Sequence, residues 1–153
     1  MNQNSGIEKS DFQIPKGVAG TIGVIACPML EDELIYDILC DSDEKIIYVV
    51  DTGSQGSFVG KLNSNNIPYN MISEYSFDHG INGLDKSKFN LVVCMNQLGL
   101  HAEPKSLKSQ IESQVLLHSH LFDAILVFYG ICGNFGWDIS ETSSATSEIP
   151  VIT

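Results

Sequence analysis

Apolar residues along the chain fall into short dense runs separated by amphipathic stretches. Thr21–Ala26, Ile46–Val50, Phe89–Gln97 and Asp123–Tyr129 have strand length and are rich in Val, Ile and Leu. Continuous apolar runs of this kind predict strands buried on both faces, as in a parallel sheet. Between them the apolar positions recur at helical spacing. Leu30, Leu34, Ile35, Ile38 and Leu39 form one stripe over Pro28–Cys40. Phe58, Val59 and Leu62 form another over 54–65, and Leu107, Ile111, Val115 and His118 a third over Pro104–His120. These spacings predict helices with one buried side. Pro28 suits a first helical turn, and Glu31, Asp32 and Glu33 suit its positive end. Pro68–Ile72 predicts a short edge strand, and residues 73–88, with Gly80 and Gly83, a loop or short helix. Gly133–Ser144 predicts a loop and a poor helix, because Gly, Ser and Thr are weak helix formers. Ile149–Thr153 opens a last strand.

Strands alternating with helices predict an α/β protein: a three-layer Rossmann-like domain with a mainly parallel sheet and right-handed crossovers. Residues 1–17 are polar and predict a flexible tail, leaving 18–153 as a single α/β domain. The last residues stand at or inside a strand, so the domain is expected to continue past Thr153.

Composition narrows the function. The chain has 153 residues, 43% of them hydrophobic, enough for one sizeable core. Its apolar stretches are too short for a membrane span, and Met1–Lys9 lacks the pattern of a signal peptide. A cytoplasmic location with no membrane partner is expected. The formal charge is −11, and all 8 basic residues are lysine. That argues against nucleic-acid binding, which needs a basic footprint. Without arginine there is no bidentate clamp for carboxylates or phosphates. An anionic ligand would rely on backbone N–H groups or a metal. A small-molecule substrate, a protein partner and homo-oligomerisation all stay open.

Three residues then stand out by topology. Cys27 follows the strand Thr21–Ala26, His101 follows the strand that begins at Phe89, and Cys132 follows Asp123–Tyr129. Ligands of open α/β sheets sit beyond the carboxyl ends of the strands. Gly130 and Gly133 flank Cys132 and let the backbone turn, exposing N–H groups together with Asn134 as a cofactor-binding loop. A helix starting near Asn134, or at Pro28, would place Cys132 or Cys27 by a positive helix end, where a thiolate is favoured. Glu33 reads as a general base, as a partner orienting a histidine, or as a solvated helix carboxylate. Cys94 reads as core, Cys40 as a structural or surface residue, His118 as a satisfied histidine on an apolar face, and His79 and His120 as exposed. The chain has no dinucleotide-binding glycine fingerprint, no phosphate loop and no Gly-x-Ser-x-Gly elbow.

Ala26-Cys27, the Glu33-Leu34 pair, Leu100-His101 with Pro104 behind it, and Tyr129-Gly-Ile-Cys-Gly-Asn134 resemble the pattern of domain-of-unknown-function family 1638. The resemblance spans roughly residues 20–153. It is a family of archaeal and bacterial proteins, many from methanogens, without a settled activity. The resemblance implies a site containing Cys27, His101 and Cys132 with Glu33 nearby, and a further Cys beyond Thr153. Two thiolates and one imidazole fit zinc best, and an iron–sulfur cluster comes second because it uses cysteine nearly throughout. The expected role is zinc-dependent group transfer, methyl transfer to or from a thiol included, or hydrolysis, with Cys132 and Glu33 as catalytic groups. The rival readings are a metal-free enzyme with Cys132 as nucleophile and His101 as base, and a non-catalytic binding or assembly module.

Overall fold

The computed structural model describes residues 19–97, 104–129 and 151–152. Six strands form one sheet: β1 (Gly20–Ala26), β2 (Ile46–Asp51), β3 (Asn70–Ser73), β4 (Phe89–Met95), β5 (Ala124–Phe128) and β6 (Val151–Ile152). All pairings are parallel and the order is β3-β2-β4-β1-β5-β6. The helices are α1 (Glu31–Cys40), α2 (Gly56–Ser64), α3 (Glu74–Asp78) and α4 (Pro104–His118). The expected three-layer α/β fold is therefore present.

The strand order fixes the layers. From β1 the chain moves over β4 to β2 and then to β3. From β3 it turns back over β2 to β4, and from β4 it passes over β1 to β5. Crossovers of one hand running in opposite directions must lie on opposite faces of the sheet. Two separate cores follow. On one face Leu34, Ile35 and Ile38 of α1 and Phe58 and Leu62 of α2 cover Val24, Val49 and Val93. On the other, Phe77 of α3 and Leu107, Ile111 and Val115 of α4 cover Ile25, Val92 and Ile125.

Most expected elements are where the pattern puts them, with differences at their ends. The chain after Cys27 begins as a 3-10 turn, Pro28–Leu30, before α1. A second such turn, Ser119–Leu121, closes the stretch expected to remain helical to His120. β4 ends at Met95, although the Asn96 N–H still donates to the Ala26 carbonyl at 3.0 Å. β5 is buried on one face and half-buried on the other. The crossovers carrying α1 and α2 run from β1 towards β3, away from β5, so Leu126 and Phe128 are covered only in part. Residues 1–17 and 133–144 lie outside the described residues.

Candidate functional site at the carboxyl edge of the sheet

The carboxyl ends of β2, β4, β1 and β5 lie side by side. Side chains alternate along a strand, so Val92 and Cys94, and then Asn96, turn towards α4. Ile125, Val127 and Tyr129 do the same from β5, and Ile25 and Cys27 from β1. Cys27 is 2% exposed. Its N–H donates to the Phe128 carbonyl at 3.2 Å, and its own carbonyl accepts from Leu30 at 2.9 Å. The thiol of Cys27 caps nothing, and α1 starts only at Glu31. The N-terminus of a full helix is thus a turn away, and the helix-dipole argument applied to Cys27 weakens with that distance.

A buried amide network crosses this edge. The Asn96 Nδ2 donates to the Tyr129 hydroxyl at 2.9 Å and to Gln114 Oε1 at 3.1 Å. Gln114 Nε2 returns a bond to Asn96 Oδ1 at 2.8 Å and reaches the Cys94 sulfur at 3.7 Å. Asn96 is 5% exposed, so these bonds replace the water it loses. The network ties β4, β5 and α4 together at one place. Burial raises the Tyr129 hydroxyl above the usual tyrosine range, against a smaller opposing effect of its bond to Asn96. Burial, with the negative charges of Glu74 and Asp78, pushes the Cys94 thiol up to about 12. Cys94 is therefore a neutral thiol in the physiological range.

Next to this network α3 meets α4. His118 Nε2 lies 2.9 Å from Asp78 Oδ1, and Nδ1 lies 3.1 Å from the Gln114 carbonyl. The His118 ring stacks on Phe77 with centroids 4.0 Å apart. It is the satisfied histidine its position on the apolar face implies. His79 and His120 are exposed. On the far side of the edge, Thr52 Oγ1 donates to the Met95 carbonyl at 2.9 Å. Gln55 braces the Asp51-Thr52-Gly53 turn, accepting from the N–H groups of Thr52 and Gly53 and donating to Asp51. Gly53 has φ +87, a conformation that favours glycine.

Glu33 is exposed on α1. The carboxylate drawn inward in that turn is Glu31, 6% exposed, which meets the Ser57 hydroxyl and the Lys61 ammonium, the latter at 2.9 Å. Lys61 also pairs with Asp32 at 2.7 Å. The second oxygen of Glu31 is buried without a hydrogen-bond partner among the described residues.

Of the residues singled out from the sequence, Cys27 and Glu33 fall among those described, while His101, Gly130, Cys132, Gly133 and Asn134 lie outside them. Among the described residues no group of three or more His, Cys, Asp or Glu side chains could hold a metal ion. No described helix is long and apolar enough to cross a membrane. The sequence reading missed Asn96 and Gln114. Their only signal was a polar residue continuing the Val92–Cys94 face, and an amide one helical turn before His118.

The sequence model of a family described as "Protein of unknown function (DUF1638)" matches residues 95–152. The match runs from the carboxyl end of β4 through α4 and β5 to β6, and takes in Asn96, His101, Gln114, Tyr129 and Cys132. The chain carries this family's pattern over that stretch, as the resemblance implied. No curated protein and no solved structure matches the chain.

Proposed function

We propose that the carboxyl edge of the sheet is a Cys/His metal site, with Cys27, His101 and Cys132 holding zinc for group transfer or hydrolysis. One observation carries this reading: Cys27 is buried at the end of β1, between β4 and β5. His101 follows β4 in the chain, and Cys132 follows Tyr129 at the end of β5. Soft sulfur with imidazole nitrogen is the usual donor set for zinc, and three protein ligands leave a position for substrate. Zinc bound there would keep a coordinated thiol or water deprotonated, which suits transfer of a methyl group to or from a thiol as well as hydrolysis.

Elemental analysis of the purified full-length protein tests the assignment. About one zinc per chain is expected. Cys27→Ser, His101→Ala and Cys132→Ser should each lower it, while Cys40→Ser and Cys94→Ser should not. Affinity should fall as the pH drops through roughly 6 to 5, because both thiols must lose their protons to bind. Stoichiometric zinc that survives both Cys27→Ser and Cys132→Ser refutes the site.

A further inference from the structure

A cleft of about 310 Å³ opens between the carboxyl ends of β2 and β4, α3 and α4. Its volume is that of a small-molecule site. Its charge is one-sided. Glu74 and Asp78 contribute carboxylates, and among the described residues no lysine lines it. The one basic side chain among the described residues of its wall, His118, spends its ring on Asp78 and the Gln114 carbonyl. Glu74 pairs with no cation among the described residues, and its charge, with that of Asp78, adds to burial in keeping the Cys94 thiol neutral. The negative field therefore reaches the floor of the cleft. Among the described residues an anion would meet two carboxylates and no available positive group.

The remaining polar lining is neutral. Ser54, Gln97, Gln110 and Ser113 face the cleft with side chains that make no hydrogen bond among the described residues. The amide N–H groups of Asn96 and Gln114 are committed to each other, to the Tyr129 hydroxyl and to the Cys94 sulfur, so the two residues form a braced wall behind these groups. Hydroxyl and amide groups both donate and accept, which suits a ligand carrying several hydroxyls. Carboxylates at one end suit an ammonium.

We propose that this cleft binds a small hydroxylated ammonium compound, an amino sugar being the fitting class, with the ammonium on Glu74 and Asp78 and the hydroxyls on Ser54, Gln97, Gln110 and Ser113. The binding does not depend on the metal proposed above.

Three probes of one shape and different charge test it: glucosamine with its amine protonated, glucose and glucuronate. Each is titrated into the full-length protein labelled with nitrogen-15, with and without a chelator, while the side-chain amide signals of Gln97 and Gln110 are followed. Glucosamine should shift these signals at the lowest concentration, glucose at a higher one and glucuronate least. Glu74→Gln should weaken glucosamine about fivefold, the scale of a partly exposed charge contact, and leave glucose unchanged. Asp37→Asn, a charge change on exposed α1, should alter nothing. Glucosamine that leaves the amide signals in place, glucuronate binding as well as glucosamine, or a Glu74→Gln protein that binds glucosamine undiminished would each overturn the proposal. Zinc content responds to Cys132→Ser and sugar binding to Glu74→Gln, so the failure of one reading is distinguishable from failure of the other.

Discussion

Replacing Gly23 by alanine tests how the sheet holds the layer that bears α3 and α4. Gly23 is in the middle of β1, and a Cβ built there would stand 2.5, 2.6 and 2.9 Å from three atoms of the Phe122 ring. Carbon atoms in contact normally sit about 3.5–4.0 Å apart, so the ring would have to retreat by about 1 Å. It has little room. Phe122 is 8% exposed and leans on Phe77 with centroids 6.1 Å apart, and Phe77 in turn stacks on His118. Overpacking of this kind costs about 1–3 kcal/mol. Alanine in a strand gains back about 0.5–1 kcal/mol over glycine, so a net loss of about 1–2 kcal/mol is expected. Phe122→Ala alone empties the same space and should cost about 3–5 kcal/mol. In the double variant the new methyl group enters the vacated volume. The double loss should then fall short of the sum by about 1 kcal/mol or more. Urea unfolding followed by far-ultraviolet circular dichroism measures all four corners of the cycle. Coupling below about 0.5 kcal/mol would refute the claim that Gly23 exists to admit the ring.

Other outcomes follow from the carboxyl edge. Asn96→Ala should cost about 2–3 kcal/mol in the same unfolding assay, because it strands the Gln114 amide and removes a bond to Tyr129; a loss below about 0.5 kcal/mol would refute the network's role. A thiol reagent at neutral pH should modify exposed Cys40 quickly and Cys94 only on unfolding, which mass spectrometry of timed samples resolves. Stability should fall as the pH rises above 9, because the unfolded chain then releases the Cys94 proton, and near 10 the Tyr129 proton, while the folded chain keeps both. The slope approaches about 1.4 kcal/mol per pH unit for each such proton, and Cys94→Ala or Tyr129→Phe should flatten it. Lys61→Met should destabilise more than Asp32→Asn, since it leaves the buried Glu31 carboxylate without its cation.

The fold was legible because it rests on periodicity. The apolar runs of β1, β2, β4 and β5 and the stripe Leu107–Ile111–Val115 of α4 are bulk signals, each repeated over several residues. Alternation of strand and helix then left few topologies, and the crossover rule supplied the layers. What stayed hidden was which strands neighbour which. The order β3-β2-β4-β1-β5-β6 brings β4 beside β1, and no local feature of either strand states it. The strand expected to reach Gln97 ends as a regular strand at Met95, although Asn96 continues the ladder by one bond to Ala26.

The site was legible to a smaller degree, for a related reason. Cys27 could be placed at the carboxyl edge because its position follows from the strand before it. Glu31 could not be told from Glu33, since both stand between Leu30 and Leu34 of the apolar stripe and only the approach of α2, with Ser57 and Lys61, decides which carboxylate is enclosed. The Asn96–Gln114–Tyr129 network joins three elements that are distant in sequence and carries no motif. Its form nonetheless bears on function. A bare apolar edge would have been cheaper to bury, because every amide taken from water needs its full set of partners. Here an asparagine, a glutamine and a tyrosine are held in one geometry next to Cys27, with the neutral Cys94 thiol beneath them and an acidic cleft on the other side. Such an arrangement fixes the carboxyl ends of β4 and β5 relative to α4, and these are the three elements that flank His101 and Cys132 in the chain. The polar network therefore braces the carboxyl ends of β4 and β5 against α4, and on the two proposals above Asn96→Ala should lower zinc content and glucosamine affinity together.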